Sequence, residues 1–278
     1  MSDTTTTRTI AGLPMYDWPE VAGDVDELWR EIRHELTRRE IEAPEQLSRP
    51  DNLEKIWRDP AMLVGQVCAL NPVRDGLGEV EPLGTLVYEP PAGLPDPEPG
   101  VYYSVLVAHR SVAPPNGPGL AALRDARIAS NGTDSLSGYW SLGHHVRDLT
   151  ASEPLFGPAL FTGSHRESVR AVAARDADVA AIDVHSWRLA LEFEPDAAAE
   201  LAVLGTTDPT PGVVLVTAWE RAAERDVLND AIEAAVAGLR GSAVLDALRI
   251  RGYRRRTLPE FHVVSSRVAQ TARRDWHR

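Results

Sequence analysis

Apolar and polar positions follow two periods along this chain, and the change of period marks its elements. Val21, Val25, Leu28, Trp29, Ile32 and Leu36 recur at helical spacing and predict a helix over 21–38. Just upstream, 10–16 reads as a short strand closed by Asp17, Trp18 and Pro19. A second helix is predicted over 50–57, a buried strand over 63–70 and another strand over 83–88. The proline-rich stretch 88–100 is a loop. Beyond it the pattern predicts strands over 101–109, 126–130, 159–162, 179–182, 203–204 and 213–217. Helices are expected over 120–124, 136–146, 164–175, 186–193, 221–239 and 242–250, with turns at 114–119 and 209–212. Strands and helices thus alternate throughout, which argues for an α/β class with mainly parallel sheet.

Composition narrows the partners more than the fold. The 278 residues allow two domains or one large one, and suffice for a real core. Basic side chains number 29 and acidic ones 41, a formal charge of −12 that repels nucleic acid and anionic membrane at long range. Nine arginines from Arg249 onward face only Glu260 and Asp275. They read as a solvated helical tail or a patch complementing the acidic body, with an anion- or nucleic-acid-binding surface as the sharper alternative. Cys68 is the sole cysteine, which excludes an intrachain disulfide and a thiolate zinc site. Residues 1–8 form a polar Ser/Thr run without the basic and apolar regions of a secretory leader. No run of about 18 apolar residues offers a membrane span. As written, the chain reads as cytoplasmic, and as periplasmic or extracytoplasmic if its N-terminus is incomplete.

Candidate chemistry gathers at three strand-to-helix junctions. The first is Asn131-Gly132-Thr133-Asp134-Ser135-Leu136-Ser137-Gly138-Tyr139. A helix N-terminus presents unpaired N–H groups and about half a positive charge, and Ser135 and Ser137 add hydroxyls beside them. Gly138 lets a ligand approach the backbone, so the stretch makes an anion cradle without formal charge; ordinary capping by Asp134 or Ser135 is the alternative. The second junction, Thr162-Gly163-Ser164-His165-Arg166-Glu167, carries a capping box, with His165 in the first turn. The third places Asp183 after an apolar strand, where open α/β sheets hold ligands, or where a helix needs a cap. The nucleophile-elbow, P-loop and zincin motifs are missing. His144 and His145 are adjacent, so on a helix they diverge by about 100° and do not chelate as a pair.

In their order along the chain these segments resemble the phosphate/phosphonate-binding substrate-binding proteins of ABC transporters. The marks are Leu13-Pro14-Met15-Tyr16-Asp17, Gly65-Gln66-Val67-Cys68, Tyr103-Ser104-Val105-Leu106-Val107, the Asn131–Tyr139 stretch, Thr162-Gly163-Ser164-His165, Ala177–Asp183 and Pro209-Thr210-Pro211-Gly212. The resemblance implies a type II periplasmic-binding-protein-like α/β fold: two lobes joined by two crossover strands, with a ligand cleft between them. It implies lobe one at 8–104 plus 212–278, an inserted lobe two at 105–211, and a flexible tail at 1–7. Ser135 and Ser137 match hydroxyls that hold phosphonate oxygens, and His165 matches an oxygen-contacting histidine. Leu136 stands where the family usually has a third hydroxyl, and Gly138 and Tyr139 complete that ligand-binding stretch. Tyr16 matches a cleft-lining position, and Asp183 falls where the family often has a polar cleft residue.

The implied function is binding of a small oxyanion such as phosphate or a phosphonate, with no cofactor, no metal and no catalytic residue. The chain then serves as an ABC-transporter component, with a permease as partner, or as an intracellular relative. The alternative is a cytosolic lyase-type enzyme on the same fold, with His165 and Asp183 as acid and base. A third reading is a regulatory protein that meets a partner through its arginine-rich C-terminus.

Overall fold

The computed structural model describes residues 9–74, 80–113, 120–150 and 153–278. The turn expected at 114–119 and the tail expected at 1–7 lie outside the described residues. In chain order the strands are β1 (Ile10–Gly12), β2 (Met62–Val67), β3 (Val80–Tyr88), β4 (Val101–Tyr102), β5 (Ser104–His109), β6 (Ile128–Ser130), β7 (Ala159–Phe161), β8 (Val179–Asp183), β9 (Leu201–Thr206), β10 (Thr210–Pro211), β11 (Val214–Ala218) and β12 (Ile250–Arg255). The helices are α1 (Ala22–Thr37), α2 (Glu54–Trp57), α3 (Ser141–Val146), α4 (His165–Ala173), α5 (Val184–Phe193), α6 (Pro195–Ala199), α7 (Arg225–Gly238), α8 (Ala243–Ala247) and α9 (His262–Thr271). A π-helical turn over Leu136–Trp140 runs straight into α3, so the predicted helix 136–146 is continuous with a widened first turn.

The chain divides into two compact units: Met1–Glu89 with Gly212–Phe261, and Pro90–Pro211 with His262–Arg278. In the first unit the sheet order is β1-β2-β11-β3-β12. Helix α1 packs against α7. The buried stripe Leu28, Trp29, Ile32 and Leu36 supplies one side of that contact, and Leu228, Ile232, Ala235 and Val236 the other. The indole N–H of Trp29 donates to the Pro44 carbonyl at 3.1 Å, so this large side chain is buried with its polar atom satisfied.

In the second unit the order is β7-β6-β8-β5-β9, beside a short antiparallel pair of β4 and β10. Strand β6 runs parallel to β7 and β8, whereas β5 is antiparallel to β8 and β9. In the first unit only β1 and β2 pair in parallel. The expectation of mainly parallel sheet is therefore corrected to mixed sheets. Parallel neighbours need a crossover within one layer. Here β5 alone runs against β6, β7, β8 and β9 in the second unit, and β11 and β12 run against β1, β2 and β3 in the first.

Other differences follow from pairing that the one-dimensional pattern does not encode. The turn expected at 209–212 contains β10, because Thr210 and Pro211 pair with Tyr102 and Val101. The helix expected over 242–250 stops at Ala247, and β12 follows as an edge strand on β3. The expected lobe boundary at 104/105 falls after Glu89, and 262–278 packs with the second unit instead of the first. The reason for the last difference is Trp276, almost fully buried in the core of the second unit with Leu142, Val146 and Phe156. A Cβ on Gly143 would lie 2.7 Å from the Trp276 ring, so this packing requires glycine there. The Phe156 N–H donates to the Trp276 carbonyl at 3.2 Å and fixes the segment further.

The arginine-rich stretch is split by the same division. Arg255 pairs with Asp230 at 2.5 Å and Glu233 at 2.7 Å, and Arg256 with Glu260 at 2.7 Å, all in the first unit. Arg278 pairs with Asp125 at 2.9 Å in the second. These three arginines thus complement acidic side chains of the body. Among the described residues no helix is long and apolar enough to cross a membrane.

Candidate functional site

Three parallel strands of the second unit, β7, β6 and β8, each lead at their C-terminal end into a helix: α4, the helix 136–146 and α5. Their N-termini therefore gather along one edge of one sheet, the place where α/β sheets hold ligands. Backbone links tie the first two junctions together: Thr162 N–H donates to the Ser130 carbonyl at 2.8 Å, and Gly163 N–H to that of Asn131 at 3.1 Å.

The helix 136–146 opens at Ser135, whose Oγ accepts from Gly138 N–H at 3.0 Å. Its neighbour Ser137 reaches α4: Ser137 Oγ and His165 Nε2 are 2.8 Å apart. The Ser137 carbonyl accepts from Ser104 Oγ at 2.8 Å, and Ser104 N–H donates to Thr207 Oγ1 at 2.9 Å. This chain of bonds through β5 holds the first helical turn in place. Burial pushes the His165 imidazole down to about 4, so the ring is neutral at physiological pH. Its Nδ1 has no protein partner. In either tautomer the pair keeps one unspent donor, the Ser137 hydroxyl if Nε2 carries the proton, or the Nδ1–H if it does not. Ser135, Ser137 and His165 thus offer donors and a helix N-terminus without a formal charge, which suits an anion.

The remaining expected site residues take other places. Gly138 belongs to the cradle, but its missing side chain admits Asn131, not a ligand: a Cβ there would lie 1.9 Å from Asn131 Oδ1. Leu136 is buried and offers no hydroxyl. Tyr139 turns to the C-terminal segment, edge-on to Trp276 at 4.9 Å and with its hydroxyl 2.9 Å from His277 Nε2. Asp183 caps α5, its Oδ1 accepting from His185 N–H at 2.9 Å and Ser186 N–H at 3.0 Å. Tyr16 lies in the first unit, buried and edge-on to Tyr88 at 4.9 Å. There Gln66 accepts from Met15 N–H at 3.1 Å and donates to the Tyr88 hydroxyl at 3.3 Å.

Two further residues shape the cradle. Ser104 anchors the Ser137 carbonyl, and Asn131 presents a buried Oδ1 that has no partner. Both stand in the segments that carry the family resemblance, but neither type announces a site unless the fold brings it to Ser137 or Gly138. Among the described residues no group of three His, Cys, Asp or Glu side chains could hold a metal ion.

The class that this arrangement defines is a two-lobed α/β solute-binding protein of the type II periplasmic-binding fold. Solved structures share that fold. PhnD1 from Prochlorococcus marinus in complex with methylphosphonate matches with a TM-score of 0.69 at 14% identity, over 95% of this chain and 97% of that one. A binding-protein component of an ABC phosphonate transporter from Pseudomonas aeruginosa matches with a TM-score of 0.68 at 14% identity, covering 95% of this chain and 86% of that one. A Xanthomonas citri protein bound to ATP matches with a TM-score of 0.67 at 17% identity, over 95% and 97% of the two chains. No curated protein matches the sequence. The model of the family described as ABC transporter, phosphonate, periplasmic substrate-binding protein matches residues 75–258, well over half of the chain. The chain belongs to that family.

Proposed function

We propose that this protein binds a small phosphonate, or a closely related oxyanion such as phosphate, at the cradle of Ser135, Ser137 and His165. It delivers that ligand to the permease of an ABC transporter, outside the cytoplasmic membrane. The observation that carries the reading is the 2.8 Å Ser137–His165 pair, set at two adjoining helix N-termini with a donor left unspent. The family to which the chain belongs, and the methylphosphonate in the complex of PhnD1, support the ligand class. Neutral donors bind an anion without a competing counter-charge, so the ligand need only exchange its water for fixed hydrogen bonds. No observation favours the enzyme alternative, since Asp183 serves α5 and does not pair with His165.

The test is calorimetric titration with methylphosphonate and with inorganic phosphate. Saturable binding is expected in the wild type. Ser137→Ala removes a hydrogen bond to a charged oxygen, about 1.5–3 kcal/mol, and should weaken binding about 10–100-fold. A wild type that takes up neither anion at millimolar concentration, or an unchanged Ser137→Ala variant, would refute the reading.

A further inference from the structure

The arginine-rich C-terminal segment contributes one side chain to a second polar pocket of the same unit. Helix α9 packs against the Leu136–Trp140 turn, α3 and β10. Between them lies a small, open pocket. Leu136 and Trp140 form its apolar wall, and Ser141, His144, Thr210 and Arg267 line the rest, with Asp208 also present. Thr210 and His144 are each more than nine-tenths buried, and Thr210 Oγ1 and His144 Nδ1 have no hydrogen-bond partner. Buried polar atoms are usually partnered, and these two belong to residues of one pocket lining. Arg267 donates through Nη1 to the Pro209 carbonyl at 2.7 Å, which pins the guanidinium. It forms no ion pair among the described residues, so its remaining N–H groups are available. Asp208 is 54% exposed and stands 4.0 Å from His144 Nε2, too far for a direct hydrogen bond.

We propose that this pocket binds an oxyanion of the carboxylate or phosphate class. Arg267 supplies the charge, and the Thr210 and Ser141 hydroxyls donate to the oxygens. The donors outnumber the single carboxylate, and that carboxylate is the most exposed polar group of the lining. Burial, with Arg147 and Arg267 adding to it, holds His144 below its usual range, so the ring is neutral and does not replace Arg267 as the cation. The oxyanion is either a second acidic group of the ligand in the Ser135–Ser137 cradle or a separate small anion. Leu136 connects the two places: it sits between the cradle serines in sequence, and it lines the pocket.

Titration of the full chain with phosphonoacetate, methylphosphonate and acetate separates these sources. If the second group belongs to the cradle ligand, phosphonoacetate binds roughly tenfold or more tighter than methylphosphonate. Arg267→Gln and Thr210→Val then remove that gain and leave methylphosphonate unchanged. If the anion is separate, acetate raises the thermal midpoint of Ser137→Ala but not of Arg267→Gln. In both cases Asp208→Asn strengthens binding, because it removes the opposing charge. Two results overturn the proposal: no effect of Arg267→Gln on any anion, or a preference for 2-aminoethylphosphonate that depends on Asp208, which would make the pocket a cation site. Loss of methylphosphonate binding in the wild type with acetate stabilisation intact would instead strike the cradle reading and spare this one.

Discussion

Two helix N-termini in the second unit stand side by side on one sheet edge, yet their electrostatic roles are opposite. The one that opens α5 is closed by Asp183, whose carboxylate takes two backbone N–H groups and cancels the half-charge of the helix. The one that opens the helix 136–146 is closed by Ser135, a neutral cap that takes one N–H and leaves the positive potential in place. Both caps satisfy the local backbone equally well. Only the neutral one leaves an attraction for an external anion, and only there does a neighbouring pair, Ser137 and His165, add donors. An acidic residue at a strand end is therefore a weak sign of a ligand site when the next helix needs a cap.

The sharpest way to break this comparison is to give the cradle the other cap. Ser135→Asp should keep the helix capped and the fold intact while placing a negative charge at the site. Two like charges about 5 Å apart at an effective dielectric near 20 repel by about 3 kcal/mol. Methylphosphonate affinity, measured by titration at low salt, should fall about 100-fold or more. Unchanged affinity would mean that the ligand does not sit at this N-terminus.

The converse change tests the other terminus. Asp183→Ala removes a cap that two buried N–H groups use, and should cost about 1–2 kcal/mol of stability in urea unfolding. Methylphosphonate affinity should hold within a few-fold. Should affinity collapse while stability stays, Asp183 would be a ligand contact and not a cap.

The third test is the pH response of His165. Its folded value of about 4 lies below the ordinary 6.5, so the unfolded chain binds more protons between these limits. The contribution is fully present above pH 6.5 and is lost as pH falls from there toward 4. Wild-type stability should therefore drop more than that of His165→Gln over this interval. Parallel curves for the two proteins would show that the imidazole is not held neutral by its surroundings.

Much of the local architecture could be read directly from residue order. The apolar stripe of α1 and the Ser164 and Ser135 caps sit where spacing and side-chain type place them. Residue order marked the Ser135–Ser137 stretch and His165 as candidates, and the fold brings Ser137 and His165 to 2.8 Å of each other. The contacts of Tyr139 were hidden, because its partners Trp276 and His277 lie at the far end of the chain. Ser104 was equally hidden, since a serine within an apolar strand becomes a support for Ser137 only when β5 passes beneath the helix start.

The sequence by itself determined the periodic elements, the α/β class, and the neutral, hydroxyl-bearing character of the Ser135–Ser137 junction. Those depend on interactions a few residues apart, which spacing records. Tertiary structure alone decided the mixed direction of the sheets, the duty of Asp183, and the assignment of residues 262–278 to the second unit. Each of these rests on contacts across long stretches of chain, such as Trp276 packed over Gly143. Residue order carries the capacity for such contacts but not the choice among them.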